Sequence, residues 1–198
     1  MDTIKFQLNA RRQPYGQGAD LSLLNESVGN EVLAFHQKFP DYRVTPLRKL
    51  EFLSQRLGLG SIHIKDEAQR FGLNAFKGLG GSYAMGKYLA ALLERDINTL
   101  SFAELNSPVI KARIKDIVFV TATDGNHGRG VAWAAEQLGL RAVVYMPKGS
   151  SPVRAQNIRR HGAECTITEL NYDDTVRLAA KTAREQGWVL LQDTAWQG

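Results

Sequence analysis

The residues best suited to chemistry lie in one stretch, Phe71 to Ser82, where Lys77 stands between an aromatic residue and a glycine cluster. The apolar pattern that follows predicts a helix beginning close to Lys77. The helix N-terminus carries partial positive charge, which together with burial disfavours the ammonium form of a lysine. A neutral lysine amine is the nucleophile that Schiff-base chemistry requires, and the glycines at 78, 80 and 81 would let a flat ligand approach the backbone. The alternative is a solvated lysine at an ordinary helix start.

A second stretch, Asp116 to Gly130, predicts a buried strand that leads into a polar, glycine-rich turn and then a helix. A turn of this kind directs backbone N–H groups at a ligand above the carboxyl end of a sheet. Asp124, Asn126 and His127 are therefore candidates for ligand contacts. Asp124 could instead be a turn aspartate that caps the following helix.

Together the two stretches resemble the fold-type II pyridoxal-phosphate (PLP) enzymes, the group of tryptophan synthase β and the serine/threonine dehydratases. In that group the cofactor lysine lies in a Ser/Asn-x-Phe-Lys segment, which residues 74–77 match, and an x-Gly-Asn-His-Gly loop, matched by residues 124–128, cups the cofactor ring. The chain is similar to the diaminopropionate ammonia-lyases in particular. Dehydratases usually carry serine at position 124, where this chain has the aspartate that marks the ammonia-lyases. The other matching segments, in the same order, are Lys65–Glu67, Arg70–Lys77, Thr123–Trp133, Tyr145–Gly149, Asn171–Val176 and Gln192–Trp196.

The resemblance implies a PLP-dependent α,β-elimination that converts D- and L-2,3-diaminopropionate to pyruvate and ammonia. It assigns Lys77 to the Schiff base with PLP and, once free, to one face of the cofactor. It assigns Asp124 to the other face, as the group that removes the Cα proton of the D isomer and contacts the substrate. Asp193 would bind the distal amine of the substrate, since a carboxylate suits an ammonium; a surface turn residue is the alternative.

The resemblance also implies a set of cofactor contacts around the ring. Asn126 would bind the phenolic oxygen of PLP, and Gly125 and Gly128 would make room for the ring and the substrate. Phe76 would pack beside the cofactor, although an aromatic residue before a helix is more often part of the core. His127 would contact the ligand, or alternatively cap the helix.

Composition argues against several other classes of protein. An apolar content of 43% with 23% charged residues is ordinary for a globular protein, and no apolar run is long enough to span a bilayer. A single cysteine, Cys165, predicts no internal disulfide, and no Cys/His cluster predicts a metal site, so we expect a cytoplasmic protein. The net charge of +5 is scattered, which argues against a nucleic-acid partner. The densest basic cluster, Arg154, Arg159, Arg160 and His161, reads as a solvated helix face.

From residue 117 onward the pattern alternates regularly between strand and helix, which predicts an α/β fold with a parallel sheet flanked by helices. The earlier region is less regular, and Pro108 is interpreted there as a breaker. The predicted strands are 61–65, 117–122, 142–146, 164–168 and 188–192. The predicted helices are 25–39, 50–57, 77–95, 102–105, 127–138, 152–160 and 173–186.

The resemblance further implies how the chain is divided. Residues 1–95 would be the N-terminal part of the large PLP domain, with a mobile arm at 1–24, and residues 96–198 a smaller α/β domain. Roughly half of the family's protein would follow, including the glycine-rich loop for the cofactor phosphate. The chain is therefore expected to be a fragment or truncated product of an enzyme that forms a homodimer at full length. A non-catalytic remnant and a serine/threonine dehydratase are the alternative interpretations.

Overall fold

A computed structural model describes residues 9–12, 14, 22 and 24–193 of the chain. Most of the predicted arm at 1–24, and the final residues 194–198, lie outside the described residues. Within the described part of the chain, no helix combines the length and the apolar content needed to cross a membrane. The N-terminal elements are α1 (Glu26–Gln37), β1 (Leu47–Lys49), α2 (Glu51–Arg56), β2 (His63–Lys65), a 3-10 helix (Glu67–Gly72), α3 (Lys77–Leu92), α4 (Phe102–Leu105) and α5 (Pro108–Ile114).

The second half of the chain forms a parallel sheet of four strands in the order β5-β4-β3-β6. The strand–helix alternation predicted from the sequence is therefore confirmed. The first two crossovers step in one direction, and the third returns past β3 to the opposite edge, so that β6 lies beside β3. The elements are β3 (Val118–Ala122), α6 (Asn126–Leu138), β4 (Arg141–Met146), α7 (Pro152–Arg159), β5 (Glu164–Ile167), α8 (Tyr172–Gln186) and β6 (Val189–Leu190).

The central strand β3 is buried along its whole length because helices cover both faces of the sheet. Side chains alternate between those faces along a strand. Phe119 accordingly packs in the cluster that contains Val131 of α6 and Ile158 of α7. Val118 and Val120 pack in the second cluster, with Ala179 of α8. The result is a three-layer α/β/α arrangement with α6 and α7 on one face and α8 on the other.

Helix α3 packs against α6 through two glycines that face each other. A Cβ atom on Gly81 would lie 3.3 Å from the carbonyl carbon of Gly130, and one on Gly130 would lie 2.8 Å from the carbonyl carbon of Lys77. Side chains at these positions would hold the helices apart. The first turn of α3, with Lys77, is thus pressed directly onto the first turns of α6.

Helix α1 closes the other side of α3. The Phe35 ring occupies the space over Gly86, where an added Cβ would lie 2.6 Å from the ring. The neighbouring His36 is buried, with Nε2 lying 3.0 Å from the Leu79 carbonyl oxygen and 3.0 Å from Ser82 Oγ. The first two turns of α3 are therefore held by α1 as well as by α6.

Some predicted elements differ from the observed ones. Pro108 does not break a helix: it is the first residue of α5, where a missing N–H costs nothing, and Ser107 caps that helix through its hydroxyl. The helix that begins at Lys77 ends at Leu92 instead of Arg95, and the last predicted strand is limited to Val189–Leu190. Strand β1 is not among the predicted strands, and it pairs antiparallel with β2.

Candidate active site

The strand order creates a natural ligand site at the carboxyl ends of β3 and β6. These strands are neighbours, but the direction of strand addition reverses between them: β4 and β5 are added on one side of β3, and β6 is added on the other. Ligands bind in open α/β sheets where the connections diverge in this way, because no crossover covers the crevice. Asp124 follows β3 and Asp193 follows β6. The sheet topology therefore brings the loops that carry the two predicted carboxylates to the same edge.

Lys77 faces Asp193 across this crevice. Lys77 is the first residue of α3, and its Nζ donates a hydrogen bond to Asp193 Oδ2 over 3.1 Å although the residues are 116 positions apart. Both side chains are partly shielded, with 33% and 25% of their surfaces exposed. Sequence reasoning assigned both residues to the site but did not predict that they form an ion pair with each other.

The pair lies in a cavity of about 230 Å³ that three of the six predicted cofactor contacts line, namely Phe76, Lys77 and His127. Gly125, Asn126 and Gly128 are not among its lining residues. Phe76 lines it as an exposed ring, 5.7 Å from Lys77 Nζ to the ring centroid, so it is not a core residue. A Cβ on Gly80 would meet no atom of the described residues within 4 Å, which leaves room above the first turn of α3. The full lining is Phe76, Lys77, Gly80, Gly81, Ala84, His127, Leu191, Gln192 and Asp193.

His127 also lines this cavity. It is the second residue of α6 and is buried, and its Nε2 lies 3.2 Å from the Leu191 carbonyl oxygen, to which that nitrogen donates. Burial lowers the pKa of His127, which keeps the imidazole neutral. The histidine therefore ties the start of α6 to the end of β6. It does not cap the helix.

Asp124 does not line that cavity and lies in a separate depression. Its side chain is exposed, and within the described part of the chain no hydrogen bond or ion pair holds its carboxylate. Arg154 Nη1 instead donates to the Asp124 backbone carbonyl over 3.0 Å. The depression is lined by Asp124, Lys148, Gly149, Ser150, Ser151 and Arg154.

The cap of α6 comes from a residue that sequence reasoning missed. Thr123 Oγ1 accepts hydrogen bonds from the N–H groups of Gly125 (3.0 Å) and Gly128 (3.2 Å). Asp124 is thus not the capping residue, and its carboxylate remains available. Threonine followed by a glycine-rich turn was the available signal, because threonine is a common cap.

Packing and backbone conformation also explain the glycines of this turn. A Cβ on Gly128 would lie 2.3 Å from Thr123 Cγ2, so a side chain there would push α6 off the sheet. Gly125 adopts φ 158° and ψ −77°, a conformation that glycine reaches most easily. Asn126 is exposed as the first residue of α6. The roles predicted for Gly125, Asn126 and Gly128 at a cofactor ring stay predictions.

Two further residues at this edge were not predicted as ligand contacts. Burial, followed by the Asp193 and Asp124 carboxylates, raises the pKa of Tyr172, the first residue of α8. Tyr172 thus lies within electrostatic range of both carboxylates. Gln192 lines the Lys77 cavity, and its buried Nε2 has no hydrogen-bond partner among the described residues. Both residues lie in segments that match the diaminopropionate ammonia-lyases, Asn171–Val176 and Gln192–Trp196, but sequence reasoning assigned neither of them a ligand contact.

Residues 38–197 match the sequence profile of the family described as pyridoxal-phosphate dependent enzyme, which covers most of the chain. The chain belongs to this family. It is 76% identical to diaminopropionate ammonia-lyase of Salmonella typhimurium and 46% identical to that of Escherichia coli K12, in each case over its whole length. It spans about half of these curated relatives, 49% of each.

A solved structure leads to the same conclusion about the fold. The crystal structure of E. coli diaminopropionate ammonia lyase in complex with an aminoacrylate-PLP azomethine reaction intermediate matches with a TM-score of 0.81 and 49% sequence identity. The match covers 89% of this chain and 43% of that chain. The expected fold-type II architecture, and the similarity to the diaminopropionate ammonia-lyases, are thereby confirmed.

Proposed function

We propose that this chain forms the lysine-bearing side of the active site of a PLP-dependent lyase that eliminates ammonia from D- and L-2,3-diaminopropionate. The observation that carries the proposal is the Lys77–Asp193 pair, 3.1 Å apart in one cavity at the carboxyl ends of β3 and β6. Attachment of the cofactor requires an amine, which Lys77 offers. Recognition of the second ammonium group of the substrate requires a carboxylate, which Asp193 offers. The whole-chain similarity to relatives named for this reaction supports the same substrate.

The residues of the cavity suit PLP as the cofactor. Lys77 offers an amine to the aldehyde of PLP from a helix start that α6 and α1 hold in place. The open space over Gly80 admits a flat ring, and the unpartnered Nε2 of Gln192 is a donor without an acceptor in the described part of the chain. The phosphate loop that the family resemblance implies belongs to the length of the relatives that this chain does not cover.

When bound, PLP supplies the electron sink that stabilises negative charge at the substrate Cα. The residues of this chain then bind the substrate and move protons. Lys77 serves one face of the substrate Cα and Asp124 the other, which would let one enzyme accept both isomers. Asp193 binds the distal ammonium and holds the leaving nitrogen in place. His127, neutral and bonded to Leu191, keeps the loop of Asp193 against α6.

We propose that a second, apolar surface is covered in the full-length enzyme, as in a homodimer. Several apolar side chains around β1 and α2 are half or more exposed, which is unusual for a monomer surface and suits a covered interface. We also propose that the enzyme is cytoplasmic, as its single cysteine suggests. Another part of the full-length enzyme or a second copy would cover the exposed apolar side chains. These residues are Leu47, Phe52, Leu57 and Leu59.

The cofactor assignment is tested by titrating the chain with PLP, following visible absorbance, and mapping the peptide labelled after borohydride reduction. The label is expected on Lys77. Lys77→Ala should abolish it, whereas Lys87→Ala, on the same helix but paired with Glu31 at the surface, should leave it unchanged. Label spread over many lysines in the parent chain would contradict the assignment and favour a non-catalytic remnant.

The substrate assignment is tested by measuring pyruvate formation from each isomer. The parent is this chain and, in parallel, this chain extended by the region of the S. typhimurium relative that it does not cover. Asp193→Asn should raise KM for diaminopropionate by about tenfold or more, because a charged hydrogen bond is lost. Turnover of serine in preference to diaminopropionate would identify a dehydratase instead.

A further inference from the structure

Arg154 contacts the loop that contains Asp124 and Gly125 with both its guanidinium group and its methylene chain. It projects from α7, and its Nη1 donates to the Asp124 carbonyl oxygen over 3.0 Å, across 30 positions of sequence. Its methylene chain lies over the next residue, since a Cβ built on Gly125 would be 3.1 Å from Arg154 Cδ and 3.7 Å from Cγ. One arginine thus covers two successive residues of the loop.

The loop needs such a contact because little else sets the direction of Asp124. The carboxylate is exposed and, in the described residues, has no hydrogen-bond partner, so its position follows from its own backbone. Thr123 holds the loop from the inside through the N–H groups of Gly125 and Gly128. Arg154 holds the carbonyl on the outside. Without it, the peptide between Asp124 and the conformationally free Gly125 could rotate.

The neighbouring charged groups have other partners. Lys148, in the same depression, pairs with Glu169 over 2.9 Å. Arg159 donates to the Cys165 carbonyl oxygen, and Arg160 to Asn157 over 3.2 Å. The predicted basic cluster is therefore not one uniform solvated face, because its first member reaches the site.

We propose that Arg154 is a positioning residue for Asp124 and thereby determines how well the enzyme uses the D isomer. The inference rests on the proposed function, in which Asp124 removes the Cα proton of the D substrate and Lys77 serves the L substrate. Lys77 is held by α3, α6 and Asp193, none of which depends on Arg154. Losing Arg154 should therefore affect the two isomers unequally.

The test compares Arg154→Met with Arg160→Met. Methionine keeps an unbranched chain over Gly125 but cannot donate to the Asp124 carbonyl. Arg160 follows the opposite end of the same helix, where it donates to Asn157. In the extended chain, Arg154→Met should lower kcat for D-diaminopropionate by about tenfold, since small misplacements of a catalytic group are costly. In Arg154→Met, turnover of the L isomer should change by less than about twofold. In Arg160→Met, turnover of either isomer should change by less than about twofold.

Arg154→Lys, which keeps a donor, should recover part of the D-isomer turnover. An equal loss for both isomers, or none for the D isomer, would overturn the proposal. If the parent turns over neither isomer, the proposed function fails and hydrogen exchange of the original chain decides the positioning role. The amides of residues 124–126 should exchange faster in Arg154→Met than in Arg160→Met; equal exchange would refute it.

Discussion

Gly130 offers the sharpest test of how Lys77 is positioned. A Cβ at this position would lie 2.8 Å from both the carbonyl carbon and the carbonyl oxygen of Lys77, and 2.9 Å from the Gly78 nitrogen. All three neighbours are backbone atoms of the first turn of α3, so no side-chain rotation can make room. Gly130→Ala must therefore move α3 away from α6, and Lys77 with it.

The size of the effect follows from the overlap. The closest carbon contact is about 0.7 Å shorter than the roughly 3.5 Å at which carbon atoms attract best. Overpacking costs roughly 1–3 kcal/mol, and contact with rigid backbone places this case towards the upper end. The higher helix propensity of alanine offsets about 1 kcal/mol. We expect Gly130→Ala to lower the free energy of unfolding by about 2 kcal/mol.

The assay combines urea unfolding with borohydride trapping of PLP on Lys77. The matched control is Gly29→Ala in α1, where an added Cβ meets none of the described atoms within 4 Å and should stabilise the chain by about 0.5–1 kcal/mol. Gly130→Ala should be less stable than the parent and give less label on Lys77. Parental stability together with a parental yield of label would show that the contact between α3 and α6 does not set the lysine position.

Two further predictions concern buried titratable groups. Cys165 is buried and its pKa is raised by burial, so a thiol reagent should modify it only after unfolding; rapid labelling of the folded chain would contradict this. Burial lowers the pKa of His36 from 6.5, so the unfolded chain binds more protons and the free energy of unfolding should fall as the pH drops below about 6.5. His36→Gln should make this decline shallower in urea titrations between about pH 7 and pH 5, and an unchanged slope would show that other groups dominate.

Local features of the site were readable from the sequence because they depend on neighbouring residues. The start of α3 at Lys77, the buried strand before Asp124 and the helix that begins at Tyr172 all follow from periodicity and turn composition. Pro108 was misjudged because proline is compatible with both a helix start and a helix stop. The helix start is shown by Ser107, whose Oγ accepts a hydrogen bond from the Ile110 N–H.

Contacts between distant segments could not be read in the same way. The hydrogen bond from Arg154 to the Asp124 carbonyl depends on how α7 crosses the sheet, and the Lys77–Asp193 pair depends on β6 lying next to β3. The need for glycine at positions 81 and 130 becomes apparent only when α3 packs against α6. Nothing in the local pattern of either partner specifies the other.

The sequence by itself determined the chemistry available to this protein: an amine at Lys77, a carboxylate at Asp124, and the helices and strands that carry them. Secondary-structure propensity and hydrophobic periodicity depend on nearby residues, so these helices and strands could be predicted from the sequence. The tertiary structure decided that β6 returns beside β3, which brings the Asp193 carboxylate to within 3.1 Å of the Lys77 amine. The order of strands in a parallel sheet reflects the burial of all its layers at once, and no single segment of the chain encodes it.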